Sequence, residues 1–492
     1  GDDTITNRGN ILLTAEADTV AVDVALTAAG VSAALTNTSV EAQAVGIDGG
    51  DGADSIDNRG AIAGSADATA VGVGVSLAGA GASVSAADVW DNGISGEAVF
   101  VGIDGGSGND TILNSGAIAG TSETTTPAVS VSVTGAGIGA AATTASADAR
   151  ATGIDGGEGD DRIGNTGAIG VTSTADATTV IVSLTGVGVS AGVDSIWDGG
   201  TTAIAAATGI AGGEGNDLIA NNAAIGASAT ADTASTSVTM TLAGASASLV
   251  NSTAKARAAG IDGGEGNDAI ENSGAVAAYA KADADTVAVS VSGVGASFGG
   301  DQWSEDTLAS AAAIGIDGGA GNDVIKNTAA IAASAVSNSD ATAVTVSLVG
   351  YADSEAENIA QALAAGISGG EGGDTIDNTG DITTSSSATA DAGSVTVNLA
   401  GAAPAEAGTT ALAAGVGIDG GADDDTITNS GNLSITSGAS TDASSVSVTL
   451  AGYGDCEADN LASALSSGIS GGEGSDTIAN TGSITLTAGA NA

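Results

Sequence analysis

Histidine is absent from this chain of 492 residues, and cysteine occurs once, at Cys456. Those two absences exclude an internal disulfide, zinc sites built from His and Cys, and a nucleophile–histidine pair. Cys456 reads as an incidental small residue. Basic side chains are nearly as scarce. Eight Lys and Arg stand against 59 Asp and Glu, a formal net charge of −51. Nucleic acid and anionic membranes are therefore unsuitable partners, and cations are suitable ones. No apolar run approaches the ~20 residues that cross a bilayer, so no membrane span is expected in this segment, and no signal peptide opens it. Aromatic residues make up 2% of the chain and proline contributes two residues. The core must then be made of small side chains, chiefly Ala and Val, and must be thin. Stacked β-structure meets that condition, because ladder hydrogen bonds and close small-residue contacts replace bulky packing.

What is abundant is glycine, 79 residues of it, and it is periodic. A unit opens Gly-Ile-x-Gly-Gly-x-Gly-x-Asp-x-Ile-x-Asn-x-Gly-x-Ile. Its first Gly falls at Gly46, Gly102, Gly153, Gly209, Gly260, Gly315, Gly366, Gly417 and Gly468, with spacings of 56, 51, 56, 51, 55, 51, 51 and 51. A truncated copy starts at Gly1. Self-similarity at a fixed period marks a repeat architecture. The expected organisation is one continuous solenoid over residues 1–492. It has a partial repeat at 1–45, full repeats starting at 46, 102, 153, 209, 260, 315, 366 and 417, and a partial repeat at 468–492. Both ends fall inside a repeat, as in a segment of a longer repetitive chain. The extra four or five residues of the longer units lie near Trp90, Trp197 and Trp303 and read as loops or ridges on one edge. These aromatics are expected to plug a wide corner, with Tyr351 and Tyr453 at a similar point. The acidic segments Asp353–Glu357 and Asp455–Glu457 are expected to form a short helical turn, since Ile359 and Leu363 stand four apart.

The stretches between motifs alternate. Ala145-Ser146-Ala147-Asp148-Ala149-Arg150 has Ala on one face; Ile56, Asn58, Gly60 and Ile62 share one parity; Val71, Val73, Val75 and Leu77 share another. Period two means strand, so at least three strands are expected per unit. One position is Asn in all ten copies: Asn7, Asn58, Asn114, Asn165, Asn221, Asn272, Asn327, Asn378, Asn429 and Asn480. Equivalent residues of a solenoid stack ~4.8 Å apart, so these amides are expected to form a hydrogen-bonded ladder. A further acidic position recurs after the motif, at Asp18, Asp67, Asp176, Asp232, Asp285, Asp340, Asp391 and Asp442. It reads as a turn or strand-end Asp, with a second ion column as the sharper alternative.

The loop Asp262–Asp268, Asp-Gly-Gly-Glu-Gly-Asn-Asp, carries the chemistry. Glycines allow positive φ and can aim carbonyls at one point, and the Asp adds a carboxylate. An all-oxygen donor set suits Ca²⁺. If the loops stack, Asp217, Asp268 and Asp323 form part of a column. Like charges ~4.8 Å apart repel by roughly 3–4 kcal/mol at an effective dielectric of 20. A cation between layers would turn that repulsion into a cross-link and couple ion binding to folding.

The nonapeptides Gly156–Gly164, Gly263–Glu271 and Gly471–Ala479 follow Gly-Gly-x-Gly-x-Asp-x-Ile-x. In this they resemble the RTX, or hemolysin-type, calcium-binding repeats, a pattern tied to parallel β-helices. The resemblance implies Ca²⁺ held by the Asp carboxylates and loop carbonyls between successive turns, and a secreted protein. The matching carboxylates are Asp3, Asp54, Asp110, Asp161, Asp217, Asp268, Asp323, Asp374, Asp425 and Asp476. The Asp before the Gly pair, at Asp48, Asp104, Asp155, Asp262, Asp317 and Asp419, is auxiliary, because Ala211, Ser368 and Ser470 replace it in three copies. Two further departures stand out. One nonapeptide occurs per 51 residues rather than in immediate tandem, and Asp423 takes the place of the third Gly in one copy. The remaining two thirds of the chain resemble the β-strand repeats of large bacterial adhesins.

The expected fold is an all-β, right-handed parallel β-solenoid, with one coil per 51-residue repeat preferred over two of about 25. The two alternatives give rods on the order of 48 Å or 96 Å. The expected function is an extracellular, cell-surface structural rod or filament component, stabilised by calcium ions and self-associating end to end or laterally. The alternative is an adhesin passenger that grips carbohydrate or another surface through one face. An enzyme is not expected, because a catalytic groove needs acids that break the repeat pattern and nearly all the Asp obey it.

Overall fold

The computed structural model describes residues 1–87, 93–194, 200–300 and 307–492. Among these residues every regular element is a β-strand, and the ladders that connect successive repeats are parallel. Each residue pairs with its equivalent one repeat away: Ile56 with Ile112, Asn58 with Asn114, Ile169 with Ile118. One 51-residue repeat is therefore one coil, and the two-coil alternative is excluded. Ten coils stacked at ~4.8 Å give a rod of about 48 Å.

A single coil shows the plan. A short strand, Thr111–Asn114, turns into a long strand, Ile118–Ala142; the chain then returns through Ala145–Glu158 to the next Gly-rich loop. The ten short strands make one sheet, and the long and return strands make the other. Long and return strands lie face to face as two thin layers. Thr124 Oγ1 donates to the Asp148 carbonyl at 2.6 Å, and Ser173 Oγ to the Ala149 carbonyl at 2.6 Å. The long strand bends back at a glycine column that runs from Gly30 through Gly137 to Gly452, with φ between 123° and 144° at every member. A Cβ on Gly137 would strike the Gly81 carbonyl of the adjoining coil, so both the backbone angle and the stacking distance demand glycine there.

Inside the half of the coil nearest the motif, the side chains are Ile and Ala. Ile112, Ile118, Ala147, Ala149 and Ile154 are buried, and together they form one continuous core along the rod. Packing between the layers is complementary in size. Phe100, the largest fully buried side chain, lies over Gly64 and Gly120 in the facing layer, where a Cβ would collide with its ring. Six coils on, the Phe100 position is Gly415 and its facing neighbour is Ile435. The large residue has changed layers while the gap is kept, as close-packed interiors require.

Toward the glycine corner the polarity reverses. Ser76, Ser132, Ser183, Thr239, Ser290, Thr345 and Thr396 form one inward column, all buried. Their hydroxyls bond to carbonyls and to one another, as in Ser83 Oγ to Ser76 Oγ at 3.0 Å and Ser132 Oγ to the Ser83 carbonyl at 3.0 Å. The Val71, Val73, Val75 and Leu77 parity faces outward. Valine near the corner thus lies outside the thin core that composition suggested; Ala and Ile fill most of it, with Val40, Val171 and Val276 among them.

Two further expectations are corrected. Asp353–Glu357 is not a helical turn but part of the continuous strand Ile331–Glu371, with alternating burial that leaves Ile359 and Leu363 on the outer face. Tyr351 and Tyr453 do not plug the corner; they stand exposed outside it, and their hydroxyls donate to Asp353 at 2.8 Å and Asp455 at 2.6 Å. The reading of Trp90, Trp197 and Trp303 as ridge or plug residues lies outside the described residues. Register does locate the extra residues: Val193 pairs with Ala142, 51 positions back, whereas Thr202 pairs with Ser146, 56 back.

Candidate functional site

The short strand and the Gly-rich loop before it place the ten motif aspartates in a single column. In all nine steps the backbone N–H of one motif Asp donates to Oδ1 of the next, from Asp3 to Asp54 at 2.5 Å, through Asp161 to Asp217 at 2.7 Å, to Asp425 to Asp476 at 3.0 Å. The carboxylates turn inward. Asp54, Asp110, Asp161, Asp217, Asp268, Asp323, Asp374 and Asp425 are all buried, and Oδ2 of each has no hydrogen-bond partner. Burial pushes Asp161, Asp268 and Asp374 up to about 7 and Asp217 up to about 6, against the downward pull of the donated N–H. Burial raises Asp110, Asp323 and Asp425 as well. An unsatisfied buried carboxylate oxygen is costly, and this chain repeats it coil after coil.

The first glycine of each Gly pair makes room for that oxygen. A Cβ on Gly156 would lie 2.7 Å from Asp161 Oδ2 and against the Gly212 carbonyl of the next coil. The unpaired carboxylate oxygen and a carbonyl of the neighbouring layer thus border one small space. Among the described residues no three acidic side chains converge to hold a metal ion by themselves, so most of any ligand set has to come from the backbone. One carboxylate oxygen per layer with carbonyl oxygens is a hard donor set; it fits Ca²⁺ and offers nothing to a soft metal.

The auxiliary aspartates form a separate, outward column. Asp48 pairs with Asp104 and Asp104 with Asp155, Ala211 interrupts, Asp262 pairs with Asp317, Ser368 interrupts, and Asp419 follows. Burial first, then Asp104, raises Asp155 to about 6; burial and then Asp48 raise Asp104. Where Asp262 and Asp317 stack, the chain supplies its own cation: Arg257 reaches both, at 3.1 and 3.2 Å. Sequence reading passed over Arg257: it stands five residues before Asp262, opposite in parity, and only the break in alternation over Ala258–Ile261 brings the two to one face. It also passed over Asp194, a buried carboxylate receiving Thr201 Oγ1 at 2.8 Å and Ser235 Oγ at 2.7 Å and pushed up to about 7 by burial.

The Asn ladder is present throughout. Each Nδ2 donates to Oδ1 of the next Asn at 2.7–2.8 Å, from Asn7 to Asn480. The later acidic position, in contrast, is not one column. Asp67 stacks between Glu16 and Glu123, Asp176 and Asp232 stack with Asp283, and Asp285, Asp340, Asp391 and Asp442 form a third run two residues further on. Asp18 stands beside Thr69. These are outward mid-strand positions rather than turns or strand ends. No family model, curated protein or solved structure matches this chain.

Proposed function

We propose that this chain is a calcium-stabilised structural rod of an extracellular surface layer, stalk or filament, with Ca²⁺ held at the Gly-rich loops by the motif aspartates from Asp3 to Asp476 and by backbone carbonyls. The observation that carries this reading is the inward column of eight buried carboxylates, each with Oδ2 unpaired beside a carbonyl of the next coil. A bound divalent ion would supply the missing partner and join adjacent layers, so that ion binding becomes folding free energy. The resemblance of the nonapeptides to RTX repeats points the same way, as does a net charge of −51 that bound cations would offset. The outward Asp48–Asp104–Asp155 run, where Arg150 stands in register with Arg257 but pairs with Asp148 instead of with the run, is the natural place for accessory cations. A carbohydrate-gripping face has no comparable support: among the described residues no column of Thr or aromatic side chains runs the length of the rod.

The test is thermal unfolding by circular dichroism in excess EGTA and again in millimolar CaCl₂, with the bound calcium counted. Calcium should raise the melting temperature sharply. The double variant Asp161→Asn/Asp268→Asn should melt higher than the parent in EGTA and gain less from calcium. Equal melting in both buffers with no retained ion would reduce the loops to turns and leave the rod resting on its Asn ladder.

A further inference from the structure

The rod carries a continuous apolar face that none of the described residues covers. Outward from the serine-lined half, the column from Val24 through Val131 and Val289 to Val446 is valine in all nine coils. The next outward column is Leu, Val or Met throughout, and the rows on either side, as far as the glycine corner, contain no charged side chain. None of the nine valines is buried, and beside them, in inner coils toward the glycine corner, Leu242, Leu348 and Leu399 are 70%, 48% and 45% exposed. The face is about 24 Å wide and about 43 Å tall, roughly 1,000 Å². That exceeds the 300–600 Å² of the largest apolar patch on an ordinary monomer.

We infer that this valine face is a lateral docking surface for a second copy of the same chain. Three observations choose that occupant. The area meets the ~800 Å² per partner of a stable dimer. The ridges repeat every ~4.8 Å, a spacing that another β-solenoid reproduces and an irregular globular surface does not, so the face is complementary to itself, as a two-fold interface requires. Charge, which would drive two copies of this acidic chain apart, is missing from the face. A lipid surface is disfavoured, since the flanking column Asp285–Asp340–Asp391–Asp442 sets carboxylates where membrane-binding faces carry Lys and Arg.

The inference deepens the reading of the chain as an assembling rod, and rests on it, but needs no calcium. The calcium melt and the pairing experiment therefore fail independently. Sedimentation velocity of the chain, in CaCl₂ and in EGTA, should show a dimer at roughly 100 µM. The variant Val182→Asp/Val238→Asp/Val289→Asp should weaken association at least ~100-fold. Because Asp is a poor strand residue, Val→Thr at the same three positions, which keeps the β-branch, should weaken it about 10-fold with an unchanged circular dichroism spectrum. Ala206→Asp, on the return strand between Arg150 and Arg257, should leave the dimer intact. The inference is overturned by a monomer at that concentration, by assemblies that ignore both triple variants, or by a chain monomeric in solution that floats with phosphatidylcholine vesicles.

Discussion

The two halves of each coil solve the same folding problem with opposite polarity. Near the motif, Ile and Ala fill the interior while one inward column of carboxylates stays buried without full partners. Near the glycine corner, Ser and Thr fill the interior and valine is outside. Yet both halves keep the same unbroken parallel ladder, in which Ile169 pairs with Ile118 and Val182 with Val131 on one strand. Ladder pairing and close stacking therefore hold the coil even where burial of apolar area contributes little. The motif half adds hydrophobic stabilisation at the cost of a column of buried carboxylates; the corner half has no such column, its buried Asp194 being held by the Thr201 and Ser235 hydroxyls, and leaves its apolar surface for something else.

The largest expected effect is that of pH in the absence of calcium, and it separates the halves. The folded-state values of Asp161, Asp217, Asp268 and Asp374, about 6 to 7, lie above the ordinary carboxylate value of 3.8. Between those limits the folded chain binds more protons than the unfolded one, so stability rises as pH falls from 8 toward 4 and is lost as pH rises through 6 to 7. In EGTA the melting temperature should be higher at pH 5 than at pH 8 by about 10 °C or more, and hydrogen exchange at pH 8 should accelerate first around the motif strands. Calcium, which competes with those protons, should flatten the profile. A pH-independent melt in EGTA would mean that the column is neither protonated nor strained.

Next in size is the corner. Gly188→Val would need a β-branched residue at φ 139°, with its Cβ against the Gly137 carbonyl, and should cost at least about 3 kcal/mol. Chemical denaturation should show a shifted midpoint, and the loss should appear in both halves, because the corner joins the layers. Below it comes a paired test of the interiors. Ile154→Ala removes a fully buried side chain and should cost about 3 kcal/mol. Ser132→Ala removes a hydroxyl bonded to Ser83 and should cost about 1 kcal/mol. Equal losses would refute the division of labour.

Much of this was legible in the residues. Identical residues 51 apart encode register, so the Asn ladder from Asn7 to Asn480 and the Asp column from Asp3 to Asp476 were legible there, whereas the same period allows one coil or two and the strand pairing decides between them. The in–out sense of the corner half could not. There the two parities of one strand are Ser or Thr and Val, both small and uncharged, and the usual rule puts Val inside; the narrow gap bridged by hydroxyl hydrogen bonds is filled by Ser and Thr instead. Nor could the later aspartates be assigned. Distance from the motif hides a two-residue step, which puts Asp232 beside Asp283 and moves Asp285 one position along the same face.

The smallest prediction tests the loop that departs from the pattern. Asp423 stands where other copies have the third glycine, and among the described residues it is the one non-glycine with positive φ, 72°. The corresponding glycines sit at 107° to 132°, as at Gly372 and Gly321. Asp tolerates the left-handed region better than most residues because its short side chain bonds locally, but the strain is real. Asp423→Gly relieves it and also removes a negative charge beside Asp425, while adding chain entropy to the unfolded state. The first two effects oppose the third. In EGTA, where Asp425 has no cation, the charge effect should win and the variant should gain up to about 1 kcal/mol. In calcium, if Asp423 helps to draw the ion, the gain should vanish or reverse. The sign of that difference, read from denaturation midpoints in the two buffers, tells whether the departure is a flaw in the repeat or a ligand added to it.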